Sequence, residues 1–244
     1  MNALLLATIL AVPTTQADTS YLYRTLLLRA APGGLPEVIQ MLQQRLTVYE
    51  TAAPGAPFIM RHSQGDHWDL LVLFPMGSFS EYYSPEQVSR REQAASQSGT
   101  SEAEFQKRLG QYVSWREEVF VWGPAPEVTL AAVNGGGYYH VEMFQALPGK
   151  RAELVKQREM ENAYLAHLGR PQNLIFTRAA GAAWDSFTLG TYRDLKHYAE
   201  SADIPKERAE EAALAAGFEG ADQIGFYLRT LIQRHNDTLG GRVR

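Results

Sequence analysis

Six histidines, His62, His67, His140, His167, His197 and His235, are the groups in this chain best suited to moving a proton near neutral pH. No two are spaced as His-x-x-x-His or His-Glu-x-x-His, the spacing that puts two ring nitrogens on one face of a helix, so no metal is assigned. His62 and His67 flank a turn and read as exposed turn histidines rather than as a ligand pair. His140 has a different context. It lies in Tyr138-Tyr139-His140-Val141-Glu142-Met143-Phe144, a run rich in aromatic and branched residues that reads as a strand. Alternation puts Tyr139, Val141 and Met143 on one face, expected to pack on helices, and Tyr138, His140, Glu142 and Phe144 on the other, expected to line the space between two sheets. His140 is the candidate general base and Glu142 its carboxylate partner. Polar groups on a buried face need partners, because unpaired burial is costly. Two readings therefore stand: a patch that does chemistry, and a structural hydrogen-bonded cluster.

The elements that must position these groups occur twice. Pro32 and Gly33 recur as Pro148 and Gly149, 116 positions later, and at the same spacing Gly65, Trp68 and Asp69 recur as Gly181, Trp184 and Asp185. The offset holds without a gap from Tyr23/Tyr139 to Tyr82/Tyr198. Chance rarely aligns a Trp-Asp pair and a Pro-Gly pair at one offset, so the chain reads as a tandem duplication. In each copy the pattern predicts a strand (Tyr21–Arg29, Tyr138–Gln145), a helix (Glu37–Tyr49, Arg151–His167) and two hairpin strands (Phe58–His62 with Trp68–Phe74, Leu174–Arg178 with Trp184–Leu189). Helical sequence follows in Ser84–Gly99 and Ile204–Gly217, then in the amphipathic stretches Glu102–Arg116 and Asp222–Asn236. A short last strand is expected at Val119–Trp122, with its partner near the C-terminus lost. Arg116 is the expected counterpart of Arg234.

Position by position the copies differ. Arg24 and Leu26 stand where the second copy has His140 and Glu142, and Leu70-Leu71-Val72 corresponds to Ser186-Phe187-Thr188. The second copy is thus expected to hold the pocket. Arg24, Tyr138, Phe144, Trp184, Ser186 and Thr188 are the expected ligand-binding residues around His140 and Glu142. The recurring Trp-Asp pairs also have a structural reading, a tryptophan under the hairpin and an aspartate bonding backbone N–H groups.

The strand–Pro-Gly turn–charged helix run of Tyr139-His140-Val141-Glu142-Met143 and Leu147-Pro148-Gly149-Lys150 resembles the dimeric α/β-barrel (ferredoxin-like) superfamily, in its antibiotic-biosynthesis-monooxygenase and NIPSNAP-like group. The resemblance covers roughly residues 20–122 and 137–240 and rests on fold-level motifs. It implies an α+β fold of two tandem ferredoxin-like β-α-β-β-α repeats, packed sheet to sheet as a pseudo-dimeric barrel. It also implies a pocket between sheet and helices or inside the barrel. Its relatives include cofactor-independent monooxygenases, haem-binding and haem-degrading proteins and lactone isomerases; none of their catalytic motifs maps here residue by residue.

Composition narrows the classes further. Lys and Arg number 23 against 27 Asp and Glu, a net charge of −4, and no basic footprint for nucleic acid exists. With no cysteine, disulfides, thiolate nucleophiles and Cys-based metal sites are excluded. The apolar run Ala3–Val12, followed by small residues up to Ala17, is too short to span a bilayer and reads as an export signal. The expected layout is residues 1–17 as signal, 18–124 and 137–244 as repeats, and 125–136 as linker, in the periplasm or secreted, with no membrane span once the signal is removed. No nucleotide or flavin loop is present, so no cofactor is assigned. The expected function is an exported protein binding a small hydrophobic or aromatic molecule, monooxygenase-like and cofactor-independent. The alternative is a non-catalytic structural or interaction protein with a filled barrel, and a homodimer is left open.

Overall fold

The computed structural model describes residues 21–52 and 55–243, so the expected export signal at 1–17 lies outside the described residues. The chain runs β1 (Tyr21–Ala30), α1 (Leu35–Ala52), β2 (Phe58–Gln64), β3 (Leu70–Gly77), α2 (Phe79–Tyr82), α3 (Pro85–Gln97), α4 (Glu102–Tyr112) and β4 (Val113–Gly123). After α5 (Pro126–Gly135) come β5 (Tyr138–Ala146), α6 (Arg151–His167), β6 (Leu174–Gly181), β7 (Ser186–Tyr192), α7 (Leu195–Ala199), α8 (Lys206–Ala215), α9 (Gln223–Arg229) and β8 (Ile232–Arg242).

Each half contributes four antiparallel strands, ordered β4-β1-β3-β2 in the first and β8-β5-β7-β6 in the second. Two separate sheets would leave four edges with unpaired backbone groups. Here β2 pairs with β8 and β4 with β6, so the eight strands close into one barrel rather than stacking sheet on sheet. Closure requires the last strand, and β8 is present over eleven residues where a lost strand was expected. The amphipathic reading of Asp222–Asn236 fails because only Gln223–Arg229 is helical and the chain then extends along β5. The residues expected to be linker form α5, whose Val133 packs into the barrel interior. The Tyr23 hydroxyl anchors it, donating to Pro124 O at 2.7 Å and sharing a hydrogen bond with Thr129 Oγ1 at 3.0 Å.

Strand alternation divides side chains between the barrel interior and the helix layers outside. Tyr23, Leu27, Leu71, Leu73, Tyr139 and Met143 belong to the interior cluster, while Leu26, Leu28, Leu70 and Val72 pack against α1 with Val38 and Leu42. The recurrent Trp-Asp pairs do what the structural reading requires. Trp68 and Trp184 are buried in the interior, and the aspartates accept hydrogen bonds from strand ends, Ala30 N to Asp69 Oδ2 at 2.8 Å and Ala146 N to Asp185 Oδ2 at 2.9 Å.

Gly65 and Gly181 have φ of +125° and +100°, and each sits where a hairpin crosses a strand of the other half. A Cβ on Gly65 would lie 2.1 Å from Asp237 O, and one on Gly181 2.6 Å from Glu118 O. Gly110, exposed in α4, has open space around it. Gly181→Ala is therefore expected to destabilise the protein by more than about 2 kcal/mol. Gly110→Ala should stabilise it by about 0.5–1 kcal/mol. Urea denaturation of the two variants beside wild type checks both signs.

Candidate functional site

The two faces of β5 are reversed from the sequence expectation. Tyr139, Val141 and Met143 fill the barrel, and His140, Glu142 and Phe144 face the helix layer of the second half. Both faces are covered, so alternation sorts residues into two sets without saying which set is inside. The interior, enclosed on all sides by strands, takes the apolar set.

The polar set meets three neighbours. On β8, Asp237 is the register partner of Glu142 and His235 that of Phe144; on β7, Thr188 is the register partner of Glu142. α6 adds Gln157, Arg158 and Glu161. Glu142 Oε2 accepts from Thr188 Oγ1 at 3.1 Å and from Arg158 Nη1 at 3.4 Å. His235 Nε2 lies 3.4 Å from Glu142 Oε1 and 3.3 Å from Asp237 Oδ1, and His140 Nε2 lies 3.1 Å from the same Asp237 oxygen. Arg158 donates from Nε to Gln157 Oε1 at 2.7 Å and pairs with Glu161. Depth is graded: the Arg158 side chain is 2 % exposed, His140 15 % and Asp237 54 %, so the cluster opens to water on the Asp237 side.

Aromatic rings fix the ionic groups. Phe144 stacks on His235, with centroids 4.9 Å apart and planes 4° from parallel, and Arg158 lies 4.7 Å over the other partner of that stack, the Phe144 ring. Tyr198, just C-terminal of His197 on α7, stands edge-on to His140 at 5.4 Å and 6.4 Å from Tyr138. Burial works to raise the Glu142 carboxyl, but His235 and Arg158 outweigh it and the net shift is downward. Asp237 is likewise held below the usual carboxylate range, the two histidines overcoming its desolvation. Burial disfavours charge on His235 too, yet the Asp237 and Glu142 carboxylates push its ring up to about 9. Glu161 moves the other way, raised chiefly by burial. The cluster is thus a network of hydrogen bonds and ion pairs held in a sheet–helix layer.

The first half shows how unusual this is. At the equivalent positions it has Leu26 for Glu142, Val72 for Thr188, Met41 for Gln157 and Leu42 for Arg158, all buried and apolar. Of the expected ligand-binding residues, Tyr138, Phe144 and Thr188 join His140 and Glu142, and Ser186 lies beside Phe144 on β7 with a buried hydroxyl lacking a hydrogen-bond partner among the described residues. Arg24 does not join them. β1 and β5 are diametrically opposed in the barrel order, and Arg24 lies over Phe74 at 4.4 Å in the first half's helix layer. Trp184 also stands apart, because its ring fills the interior and its Nε1 donates to Glu117 at 2.6 Å.

His235, Asp237, Arg158 and Glu161 were missed by the sequence reading. His235-x-Asp237 repeats the spacing of His140-x-Glu142, a signal hidden by assigning that segment to a helix end. On the helix, the apolar stripe Val38, Leu42 and Leu46 becomes Leu154, Arg158 and Asn162, and that change was visible in the alignment of the copies. Register also makes His235 rather than Arg234 the counterpart of Arg116, since His235 pairs with Phe144 as Arg116 pairs with Leu28.

No protein-family model matches the chain, and no curated protein does. Solved structures do. An anthrone oxidase-like protein aligns with a TM-score of 0.62 at 10 % identity, covering 93 % of each chain. A candidate monooxygenase of Fusobacterium nucleatum aligns at 0.58 with 8 % identity, over 92 % of this chain and 93 % of the other. One of Lactobacillus acidophilus aligns at 0.50 with 7 % identity, over 92 % and 95 %. The likeness is one of fold: the eight-stranded antiparallel α+β structure matches the dimeric α/β-barrel fold.

Removing one charge from a buried network leaves its partners uncompensated. Glu142→Leu is expected to cost about 3 kcal/mol, and adding Arg158→Leu, which completes the first half's pairing, to recover most of it. Urea denaturation of the two variants checks the order; a double variant less stable than the single would refute it.

Proposed function

We propose that the chain is an exported, tandemly duplicated ferredoxin-like protein of the antibiotic-biosynthesis-monooxygenase and NIPSNAP-like kind. In this reading its second half binds a small aromatic molecule and acts on it in a monooxygenase-like reaction. The observation that supports this reading is the asymmetry of the two helix layers. Positions that are apolar and buried as Leu26, Met41, Leu42 and Val72 are ionised or hydrogen-bonding in the second half, where they surround His140. Burying charge where a relative of the same fold uses leucine is unfavourable for stability and is retained where the charges act on something else.

The ligand would lie on the open side of the cluster, between Asp237 and the Tyr138, Tyr192 and Tyr198 rings. Those rings suit an aromatic substrate. With Nε2–H donating to Asp237 Oδ1 at 3.1 Å, the partly exposed His140 ring takes a proton at its other nitrogen, Nδ1, from an acidic O–H or C–H of the substrate, and Asp237 stabilises the imidazolium that results. Arg158 and His235 keep Glu142 ionised behind it. The alternative, a structural protein with a filled barrel, draws support from the apolar side chains that crowd the interior, among them Trp68, Phe176 and Phe187.

Native mass spectrometry of protein purified from its source tests the reading. A bound organic molecule is expected on the wild type and absent from the Glu142→Leu/Arg158→Leu variant. Clean, ligand-free wild type, with no oxygen uptake when phenolic and anthrone-like compounds are added, would leave the structural alternative.

A further inference from the structure

Three side chains of the cluster bring their donor atoms close to one point, with His235 beside them. The His140, Glu142 and Asp237 donor atoms all lie within 4.8 Å of one another. The Nε2 atoms of both histidines converge on the carboxylates, at 3.1 Å (His140 to Asp237), 3.3 Å (His235 to Asp237) and 3.4 Å (His235 to Glu142). Ligands bound to one metal ion at about 2.0–2.2 Å are separated along the edges of a tetrahedron or octahedron by about 3.0–3.5 Å. The observed separations fall in that range. His235 Nε2 is buried and points between the two carboxylates, 3.3 Å from Asp237 and 3.4 Å from Glu142, although neither contact has the geometry of a hydrogen bond.

The surroundings also match a ligand set. Glu142 directs Oε1 toward His235, while Oε2 is held from behind by Thr188 and Arg158. Outer hydrogen bonds of this kind orient a metal-binding carboxylate. The Phe144 stack sets the His235 ring, and the four residues sit on two adjacent strands in fixed register, Glu142 opposite Asp237. Such strands preorganise ligands better than loops.

We propose that His140, Glu142 and Asp237, with His235 beside the two carboxylates, form a binding site for a divalent first-row transition ion. An imidazole with two carboxylates is a mixed nitrogen–oxygen set, suited to zinc, iron, manganese or cobalt rather than to calcium or magnesium, which favour oxygen ligands alone. The exposed Asp237 side leaves room for a water or a substrate oxygen to complete the coordination. The inference uses the residues of the proposed site and not its organic ligand. The His140 ring would serve either as proton acceptor or as ligand, and an ion held there would supply Lewis-acid polarisation of a substrate oxygen.

The test uses untagged full chain, stripped with chelator and titrated with Co2+ alone and then with Zn2+, with no organic compound present. The expected result is visible Co2+ absorption bands saturating at one ion per chain, displaced by Zn2+ and unaffected by excess Mg2+. His140→Ala and Asp237→Ala should weaken binding at least 100-fold, and Thr188→Val, which removes only an outer hydrogen bond, about 10-fold. If the ligand variants do not fold, nuclear magnetic resonance of the wild-type imidazoles decides. Zn2+ should shift the His140 and His235 rings and leave His62, His67, His167 and His197 in place. Absence of one-to-one Co2+ binding, or shifts confined to the other histidines, would overturn the proposal. Ion binding by protein that never carries an organic ligand would sink only the functional reading above.

Discussion

Closure of the barrel is the constraint on which the other features depend. Each half alone has two sheet edges, and the β2–β8 and β4–β6 ladders satisfy all four at once. That arrangement encloses a space filled with Tyr23, Trp68, Phe176, Phe187 and their neighbours. Polar and ionic side chains are thereby displaced outward into the sheet–helix layers. The glycines at the seams serve the same end. Gly65 and Gly181 let a hairpin pass against the neighbouring half's backbone at a separation that admits no side chain.

With the scaffold common to both halves, their difference becomes informative. The first layer is ordinary core, Leu26, Leu42 and Val72 against one another, and its buried arginine, Arg45, pairs with Glu102 and with the Thr100 carbonyl at the helix periphery. The second layer has the same strand order and a chain of paired polar groups from Glu161 through Arg158, Glu142 and His235 to Asp237. Each carboxylate lies beside a cation, which is why Glu142 stays ionised although burial opposes it. Stability alone favours the first arrangement, so one half keeps the barrel together and the other departs from it around His140.

Much of this was legible from residue order. The recurrence of Pro-Gly, Gly-x-x-Trp-Asp and the strand patterns located the strands and hairpins, and the aspartates bond strand ends as their repetition suggested. What could not be read were relations set by closure. Val141 and Glu142 differ in polarity, but which faces the interior depends on which space the assembled strands enclose. Arg24 and His140 occupy equivalent places, and equivalence in a closed ring puts them on opposite sides. The second half of the cluster went unseen because Ile232–Asp237 looks like the polar end of an amphipathic stretch, and it becomes a strand only because β2 and β5 present edges on either side.

The position of β8 between β2 and β5 has a consequence for how the molecule is made. It is the final element in chain order, and it mends the gap between a strand from the beginning of the described chain and one from the middle. A nascent chain emerging in order exposes both of those edges until β8 has emerged. Neither half can therefore settle into its finished form before that strand is present, and the two must condense together through contacts of long sequence separation. Because His235 and Asp237 ride on that same strand, a chain that has not yet placed β8 also lacks half of the polar cluster, and barrel closure and cluster assembly arrive in one step.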